Sequence, residues 1–546
     1  MAAQQLCYEY LPMGWVGNWS GRRADLTPNS YAIFEPITER RLTYQQMDIR
    51  AELAGKLLSE RLLLAAGDPV CLLSRNRLEA VELYLACGKT GVVLAPLSYR
   101  LAEPELNDLI GRIAPRVLFY DEVFADQAAA LQLPEGCQAV ELADEGEGIY
   151  RHALQAADGT ALESTLADPL TASASVNRPL RLSDPFLYVH TGGTTAKPKI
   201  CVVSHRQMVW NAVDILASSG GVIGPQRELV TFPLFHIGGW NTLTPVYYAG
   251  GFSVLMRSFE PGAALGLIED ELISHFGGVE AMLQMMTELP AFAGTVLSCL
   301  ESITTAGAPC SASTMQPFWD QGVPVSQSYG LTEGGPSNFL YVLEDQGLEE
   351  VRERYDSIGK AMFHTDYSIV DPQSLEPVTE GSPGVLLLRS PHNFDGYLDD
   401  PQRSDKILLE GGWIYSGDLA YADDQGFVRI VGRVDNLFIS GGENVSPEEV
   451  EEVLVRHAGI DRVAIVGVED SRWGKVPAAA VVARPGADID EEQIRNYALR
   501  ELAAFKVPRY IRFLNELPLT GAGKIDRQQI LHVMFGVDTS QDTYRG

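Results

Sequence analysis

From about residue 45 to 180 the sequence switches repeatedly between two hydrophobic periods, and that switching constrains the fold more than any other feature. The stretches "TYQQMDIRAELAGKLLSERLL" (43 to 63) and "RLEAVELYLACGKTG" (77 to 91) carry apolar residues at helical spacing, whereas "DPVCLLS" (68 to 74) and "VVLAPLS" (92 to 98) are short apolar runs of buried-strand length. Strand and helix in turn predict parallel α/β layers. The pattern resumes with "ELVTFPLF", "GFSVLM", "GAALGLIEDELISHF" and "SITTAG", and no repeat at a fixed period interrupts it. Beyond about residue 380 the texture changes to short, turn-rich strands such as "GSPGVLLLRS". After "GRVDN" (432 to 436), "SPEEVEEVLVRH", "DRVAIVGVED", "VPAAAVVARPG", "DEEQIRNYALRELAAF" and "YIRFLNELP" spell helix, strand, strand, helix and strand. The expected class is α/β: a large N-terminal domain of stacked α/β layers with a small β-rich subdomain, plus a mobile small α+β C-terminal domain.

At 546 residues the chain is too long for one ordinary core, which agrees with a division into domains. Acidic residues outnumber basic ones by 72 to 42, for a net charge of -30, and such a surface repels a nucleic-acid backbone or an anionic membrane. A polyanionic ligand must then be captured by a local site. The seven cysteines are scattered without a Cys-x-x-Cys pair, as reduced thiols of a cytoplasmic protein would be. The start, "MAAQQLCYEYLPMGW", has no basic segment followed by an apolar run, and no apolar run of membrane-spanning length occurs. A soluble, cytoplasmic protein is expected.

Four elements carry chemistry. In "YVHTGGTTAKPK" (188 to 199), Gly192 and Gly193 let backbone N–H groups turn toward an anion, Thr191, Thr194 and Thr195 add hydroxyls, and Lys197 and Lys199 add charge. This is not the Gly-x-x-x-x-Gly-Lys loop, and a Gly/Thr-rich surface turn is its other reading. "TTAGAPC" (304 to 310) and "QSYGLTEGG" (327 to 335) pair a Gly-Ala-Pro turn with Tyr329, an aromatic face for a flat ring or a core residue, and with Thr332 and Glu333, the latter a carboxylate suited to Mg²⁺. "YSGDLAYADDQGFVRIVGRVDN" (415 to 436) places Asp418 in a turn and Arg433 at its end; they suit a ribose diol, or equally a surface ion pair. "LPLTGAGKIDR" (517 to 527) presents Lys524 on a Gly-flanked loop, where a plain surface lysine is the default.

In order, spacing and wording these elements resemble the superfamily of adenylate-forming enzymes, which includes acyl- and aryl-CoA synthetases, peptide-synthetase adenylation domains and firefly luciferase. The resemblance runs over nearly the whole chain. It implies that residues 191 to 199 hold the phosphates, that Gly307, Ala308 and Tyr329 frame adenine, that Asp418 and Arg433 hold the ribose, that Thr332 meets the α-phosphate, and that Glu333 binds Mg²⁺. Lys524 then lies between the substrate carboxylate and the α-phosphate, where its charge offsets what develops during attack. Asp435 matches the hinge, which implies an N-terminal domain over 1–432, a hinge at 433–435 and a C-terminal lid over 436–546. His236, in "FPLFHIGGW", matches an aromatic position beside the acyl group that gates the thiol. Three features depart from the pattern: Ala196 for the loop's customary glycine, Ile200 and Cys201 after Lys199 where a glycine is common, and Ile439 where many members have lysine.

"ISGGENVSP" and "EDSRWGKVP" resemble the corresponding stretches of aryl-CoA and succinylbenzoate-CoA ligases, which implies that Gly442 lines a pantetheine tunnel flanked by Trp473, with Arg100, Lys506 and Arg509 as cations for the CoA phosphates. The expected activity is ATP-dependent carboxylic acid:CoA ligation, with ATP, Mg²⁺ and coenzyme A as its small molecules. Two other readings stand: a stand-alone enzyme that loads a carrier-protein phosphopantetheine, and a non-catalytic nucleotide or acyl-ligand sensor, against which Lys524 and Glu333 weigh. A homodimer is compatible with each. The acyl pocket is expected around His236, Trp240, Met282 and Gly334, with Met286 nearby, and shows no cation for a second carboxylate and no aspartate for an ammonium group; an apolar aryl or medium-chain acid fits it.

Overall fold

The two periods fold into two largely parallel sheets. The computed structural model describes residues 8–144, 150, 175–191, 198–219, 226–440, 443–470, 472–519 and 525–536. Its contacts divide the chain into a larger unit, residues 1–367 with 388–415, and a smaller one, residues 368–387 with 416–546.

In the larger unit a six-stranded sheet runs, in spatial order, Gln138–Leu142, Val117–Asp121, Pro69–Leu73, Val93–Leu97, Pro185–Thr191 and Lys199–Ser204. All of its pairings are parallel except the last, a hairpin. A seven-stranded sheet runs Val325–Gln327, Ser302–Thr305, His275–Gly278, Arg227–Val230, Phe252–Leu255, Tyr31–Glu35 and Arg40–Thr43, again parallel up to a closing hairpin. Parallel strands need both faces covered, which is why the central runs Pro69–Leu73 and Val93–Leu97 are continuously apolar.

Helix Leu78–Thr90 is buried on every side, capped at its C-terminus by Gly91 at φ 76°, a conformation that favours glycine. Its charged residues are paired throughout: Glu79 with Arg40 and Arg77, Glu82 with Arg50, and Lys89 with Asp48 and Glu52. An unpaired buried charge there would cost several kcal/mol, roughly 3–5. The pairs extend into a cluster across the strand ends of both sheets. Arg77 reaches Asp121 at 3.1 Å and Asp144 at 3.0 Å; Arg257 pairs with Asp144 and with Glu35 at 2.9 Å; Glu35 meets Arg40 at 2.7 Å. Burial alone would raise the Glu79 carboxyl, but the charges of Arg40 and Arg77 outweigh it and hold the group low.

The same helix contributes Tyr84 to an aromatic cluster. Tyr84 stacks on Trp240 at 4.3 Å between ring centroids, and Phe186 lies 4.7 Å from Tyr84 and stacks on His205 at 4.4 Å. His205 is fully buried with neither ring nitrogen hydrogen-bonded, and burial pushes its pKa down to about 3.

In the smaller unit the hairpin Ile460–Asp470 with Gly474–Ala483 takes Tyr510–Phe513 as a parallel neighbour, beside the short hairpin Phe438–Ser440 with Glu443–Val445. Period-two alternation sends Val463 and Ile465 to one face, with Val450, Leu454 and Ile494 from helices Pro447–Val455 and Glu491–Glu501. Ala464, Val466 and Val468 face Ile530 and Met534 of helix Arg527–Phe535 on the other.

Candidate active site

The apolar lead-in to the glycine–threonine loop is the strand Pro185–Thr191, and the chain returns as Lys199–Ser204 with Thr191 opposite Lys199. Gly192, Gly193, Thr194, Thr195, Ala196 and Lys197 lie outside the described residues. Ile200 and Cys201 are fully buried strand residues, and Ile200 packs with Leu73, Ala95, Leu97 and Leu118, so their apolar character serves the sheet. Burial, with the Glu333 carboxylate adding to it, keeps the Cys201 thiol well above its usual range.

Lys199 and Glu333 meet through a residue that no motif announced. The Tyr397 hydroxyl donates to Glu333 Oε1 at 2.6 Å and accepts from Lys199 Nζ at 3.4 Å, and the ammonium lies 5.2 Å from the Tyr397 ring centroid. Burial raises the phenol's pKa, and the Glu333 charge raises it further, so Tyr397 stays protonated as a permanent donor.

The turn carrying Thr332 and Glu333 is a single 3-10 turn, Thr332–Gly334, between strands Tyr329–Leu331 and Gly335–Leu340. Three consecutive carbonyls are pinned from different directions. Gln207 Nε2 donates to Thr332 O at 2.7 Å, the Phe394 N–H donates to Glu333 O at 2.9 Å, and Asn338 Nδ2 donates to Gly334 O at 2.9 Å. One helical turn beyond Gln207, Asn211 Nδ2 donates to Ser337 O at 2.8 Å, so helix His205–Ser218 presents two amides at i and i+4 to the same segment. Gln207, Asn211 and Phe394, like Tyr397, lack a local sequence signal.

Of the residues expected to frame adenine, Gly307 has φ +85° and leads into Ala308 just past the strand Ser302–Thr305. Tyr329 is only partly buried, edge-on to Phe339 at 6.0 Å, and so retains a face outside the core. Asp418 and Arg433 belong to the smaller unit. They are directly opposed on antiparallel strands Trp413–Ala422 and Val428–Arg433, with Arg433 Nη1 2.8 Å from Asp418 Oδ1. This corrects the expectation of a turn at Asp418: Gly417, at φ 74°, bends the strand locally without ending it. Asp435 sits in the 3-10 turn Val434–Asn436, 3.9 Å from Arg433. Lys524 and Gly442 lie outside the described residues, as does the side chain of Ile439.

Of the residues expected at the acyl group, His236 stands at the N-cap position of helix Ile237–Ala249 without a side-chain cap bond, its ring 4.6 Å from Phe235. It neighbours His190, whose Nε2 accepts the Ser98 N–H at 3.0 Å and whose pKa is pushed down to about 4 by burial and then by His236. His190, one residue before Thr191, is a polar neighbour of His236 that the sequence alone did not single out. Trp240 is fully buried against Tyr84; Met282 and Met286 sit in the hydrophobic cluster of the seven-stranded sheet; Gly334 is buried, where a Cβ would meet Leu388 at 3.0 Å and Asn338 at 3.1 Å. The expected CoA cations are engaged locally: Arg100 over Phe235 at 5.5 Å, Lys506 with Glu449, Arg509 with Asp470. Trp473 is 44% exposed beneath Arg472.

Among the described residues no group of three His, Cys, Asp or Glu side chains converges to hold a metal. Glu333 is a buried carboxylate with one oxygen fixed by Tyr397, which suits an ion that arrives with polyphosphate and needs one or two protein oxygens. The described helices include none long and apolar enough to cross a membrane.

Comparison with known proteins shows the family. The family model "AMP-binding enzyme" matches residues 21–398, and "AMP-binding enzyme C-terminal domain" matches 449–524. The chain is 32% identical over 517 residues to a feruloyl-CoA synthase of Amycolatopsis sp, covering 94% of this chain and 98% of that one. It is 32% identical over 523 residues to an indoleacetate–CoA ligase of Aromatoleum aromaticum, covering 94% and 97%. The crystal structure of ATP-bound MatB from Rhodopseudomonas palustris shares the fold, with a TM-score of 0.83 at 24% identity, covering 94% of this chain and 98% of that chain. With one family model spanning most of the chain and a second its C-terminal region, this protein belongs to the AMP-binding enzyme family.

Proposed function

We propose that this ATP-dependent carboxylic acid:CoA ligase, which works through an acyl-adenylate and releases AMP and pyrophosphate, takes an apolar aryl acid. The observation that carries the adenylating part of the reading is the join of Lys199 and Glu333 through Tyr397, because it sets a cation from the phosphate hairpin beside the carboxylate of the adenine motif. A bound Mg²⁺ supplies charge neutralisation for the departing phosphates. In the first step an acid oxygen bonds to the α-phosphorus and the bond to the bridging oxygen of pyrophosphate breaks. Thr332 and Lys524 meet the charge on the α-phosphate, residues 191 to 199 hold the β- and γ-phosphates, Tyr329 with Gly307 and Ala308 frames the adenine, and Asp418 with Arg433 holds the ribose. In the second step the CoA sulfur bonds to the acyl carbon and the carbon–oxygen bond to AMP breaks, with His236 beside the thiol's path, Gly442 and Trp473 along the pantetheine and Arg100, Lys506 and Arg509 near the CoA phosphates. Motion about Asp435 separates the steps.

Two considerations support the aryl acid. The relatives at 32% identity are named for ferulate and indoleacetate, both aromatic acids. The residues expected at the acyl group are His236, Trp240, Met282 and Gly334, none of them a fixed cation or anion. A pyrophosphate-release screen over cinnamic, arylacetic, benzoic, medium-chain, dicarboxylic and amino acids tests it, with CoA and a phosphopantetheinyl carrier protein as alternative acceptors. Arylpropenoic or arylacetic acids with CoA are expected to give the highest kcat/KM. Preference for an amino or dicarboxylic acid, or for the carrier protein, overturns it.

A further inference from the structure

The carbonyl of Gly334 faces a second polar group besides Asn338. His392 Nδ1 lies 3.1 Å from Gly334 O, and the ring is fully buried. The approach is so close that a Cβ on Gly335, whose φ is +82°, would lie 2.0 Å from that nitrogen. Only glycine permits this contact. On the far side of the ring, His392 Nε2 is 3.0 Å from Asp214 Oδ2. Asp214 is itself buried and held: its Oδ1 accepts the His364 N–H at 2.8 Å and faces His364 Nδ1 at 3.0 Å, and its Oδ2 accepts from Thr365 Oγ1 at 3.3 Å. Ser390 Oγ, 3.0 Å from His392 Nδ1, completes the surroundings.

We propose that His392 is a positioning residue for adenylate formation: with a proton on each ring nitrogen beside the Asp214 carboxylate, it donates to Asp214 Oδ2 and to the Gly334 carbonyl and so fixes the turn that presents Thr332 and Glu333. The inference rests on the adenylate-forming reading of that turn. Of the three carbonyls in the turn, the first is held by a helix side chain and the second by a backbone N–H. The third is the one on which several side chains converge: Asn338 from the neighbouring strand, and His392, with the longer 3.5 Å contact of Ser390 Oγ, from the segment that also supplies Phe394 and Tyr397. Because Asp214 lies on the helix that carries Gln207, the brace closes on itself: one helix holds Thr332 directly and Gly334 through His392.

Asparagine and glutamine separate the two ends of the ring, since the Asn amide can occupy the region of Nδ1 and the Gln amide that of Nε2. His392→Gln keeps a donor toward Asp214 and loses the hold on Gly334. It is expected to lower kcat/KM for ATP in pyrophosphate exchange by about ten- to a hundredfold, with faster amide hydrogen exchange over 331–336 in the unliganded protein. Thioester formation from supplied acyl-adenylate is expected to stay within about threefold, and His392→Asn, which keeps a donor toward Gly334 and loses the anchor on Asp214, is expected to lose at least about threefold less than His392→Gln in pyrophosphate exchange. Should His392→Gln fail to fold, Asn338→Ala, which removes the amide donor to the same carbonyl, is expected to accelerate exchange over the same amides. Equal losses in the Asn and Gln variants that track melting temperature, or unchanged exchange over 331–336 in Asn338→Ala, would show a bracket for the fold alone and overturn the proposal. Absence of pyrophosphate exchange in the wild type with any acid would instead sink the adenylation reading on which it rests.

Discussion

Tyr397→Phe removes one oxygen and keeps the ring, so its effect isolates the hydroxyl. The deleted group donates to a carboxylate at 2.6 Å inside a buried site, while the longer 3.4 Å contact with Lys199 contributes little. A hydrogen bond to a charged acceptor is worth about 1.5–3 kcal/mol, or roughly ten- to 150-fold. No cavity term is added, because the phenyl ring stays and the ammonium keeps its place over it at 5.2 Å. If Glu333 meets the Mg²⁺ of ATP, the loss falls on nucleotide use: pyrophosphate exchange at fixed acid is expected to show kcat/KM for MgATP reduced by that factor, with a higher Mg²⁺ concentration at half-maximal rate. A double-mutant cycle with Glu333→Gln decides whether the two act together, and a coupling of about 1 kcal/mol or more is expected for groups in direct contact. Additive effects, or wild-type MgATP dependence alongside a lowered melting temperature, would refute the reasoning and leave Tyr397 as packing.

Lys524→Ala is expected nearly to abolish pyrophosphate release while CoA still consumes supplied acyl-adenylate; equal loss in both steps would make the lysine structural. Thr194→Val is expected to cut kcat/KM for ATP by roughly ten- to a hundredfold and to leave affinity for an acyl-adenylate mimic within about threefold, as calorimetry on both ligands would show. Asp435→Pro sits early in a 3-10 turn, where proline is tolerated, so the fold is expected to survive; thioester formation should fall more than adenylation, and no change in either would place the pivot elsewhere. His190 and His205 are buried neutral, with pKa pushed down to about 4 and about 3, so the unfolded chain binds more protons than the native one below the ordinary histidine value. Stability is expected to be complete above about pH 6.5 and to fall toward pH 4, at up to about 1.4 kcal/mol per pH unit for each group. His205→Phe, which keeps the stack on Phe186 and deletes two unpartnered nitrogens, should flatten that acid limb in urea titrations; an unchanged slope would show that His205 is not charged on unfolding.

The layers of the larger unit were readable because both periods act locally: Val70 to Leu73 and Leu78 to Thr90 announce strand and helix within their own windows. The stretch "GAALGLIEDELISHF" is less plain. It divides at Leu272, which takes φ 49°, into helix Pro261–Asp270 and strand His275–Gly278, and no Gly or Pro between Glu269 and His275 marks the break. "YSGDL" reads as a turn because Ser, Gly and Asp dominate turns, yet pairing with Val428–Arg433 overrides that preference. The supports of the site were illegible for a different reason. Gln207 serves Thr332, Asp214 serves His392 and Tyr397 serves Glu333 across 125, 178 and 64 residues of sequence. No local window holds both members, and an isolated Gln, Asp or Tyr reads as surface or core.

The charge cluster between the sheets bears on how a chain of this kind can be altered by recombination. Its members come from four separate stretches: Glu35 with Arg40, Arg77 with Glu79, Asp121 with Asp144, and Arg257. A crossover between residues 144 and 257 would inherit Arg257 from one parent and both of its carboxylates from the other. Unless the parents agree at all three positions, the hybrid carries a stranded buried charge at about 3–5 kcal/mol, a large share of the roughly 5–15 kcal/mol that keeps a domain folded. Where the parents differ at any of these three positions, hybrids of the larger unit are therefore expected to survive when crossovers fall beyond Arg257 and to be lost when they fall between Asp144 and Arg257.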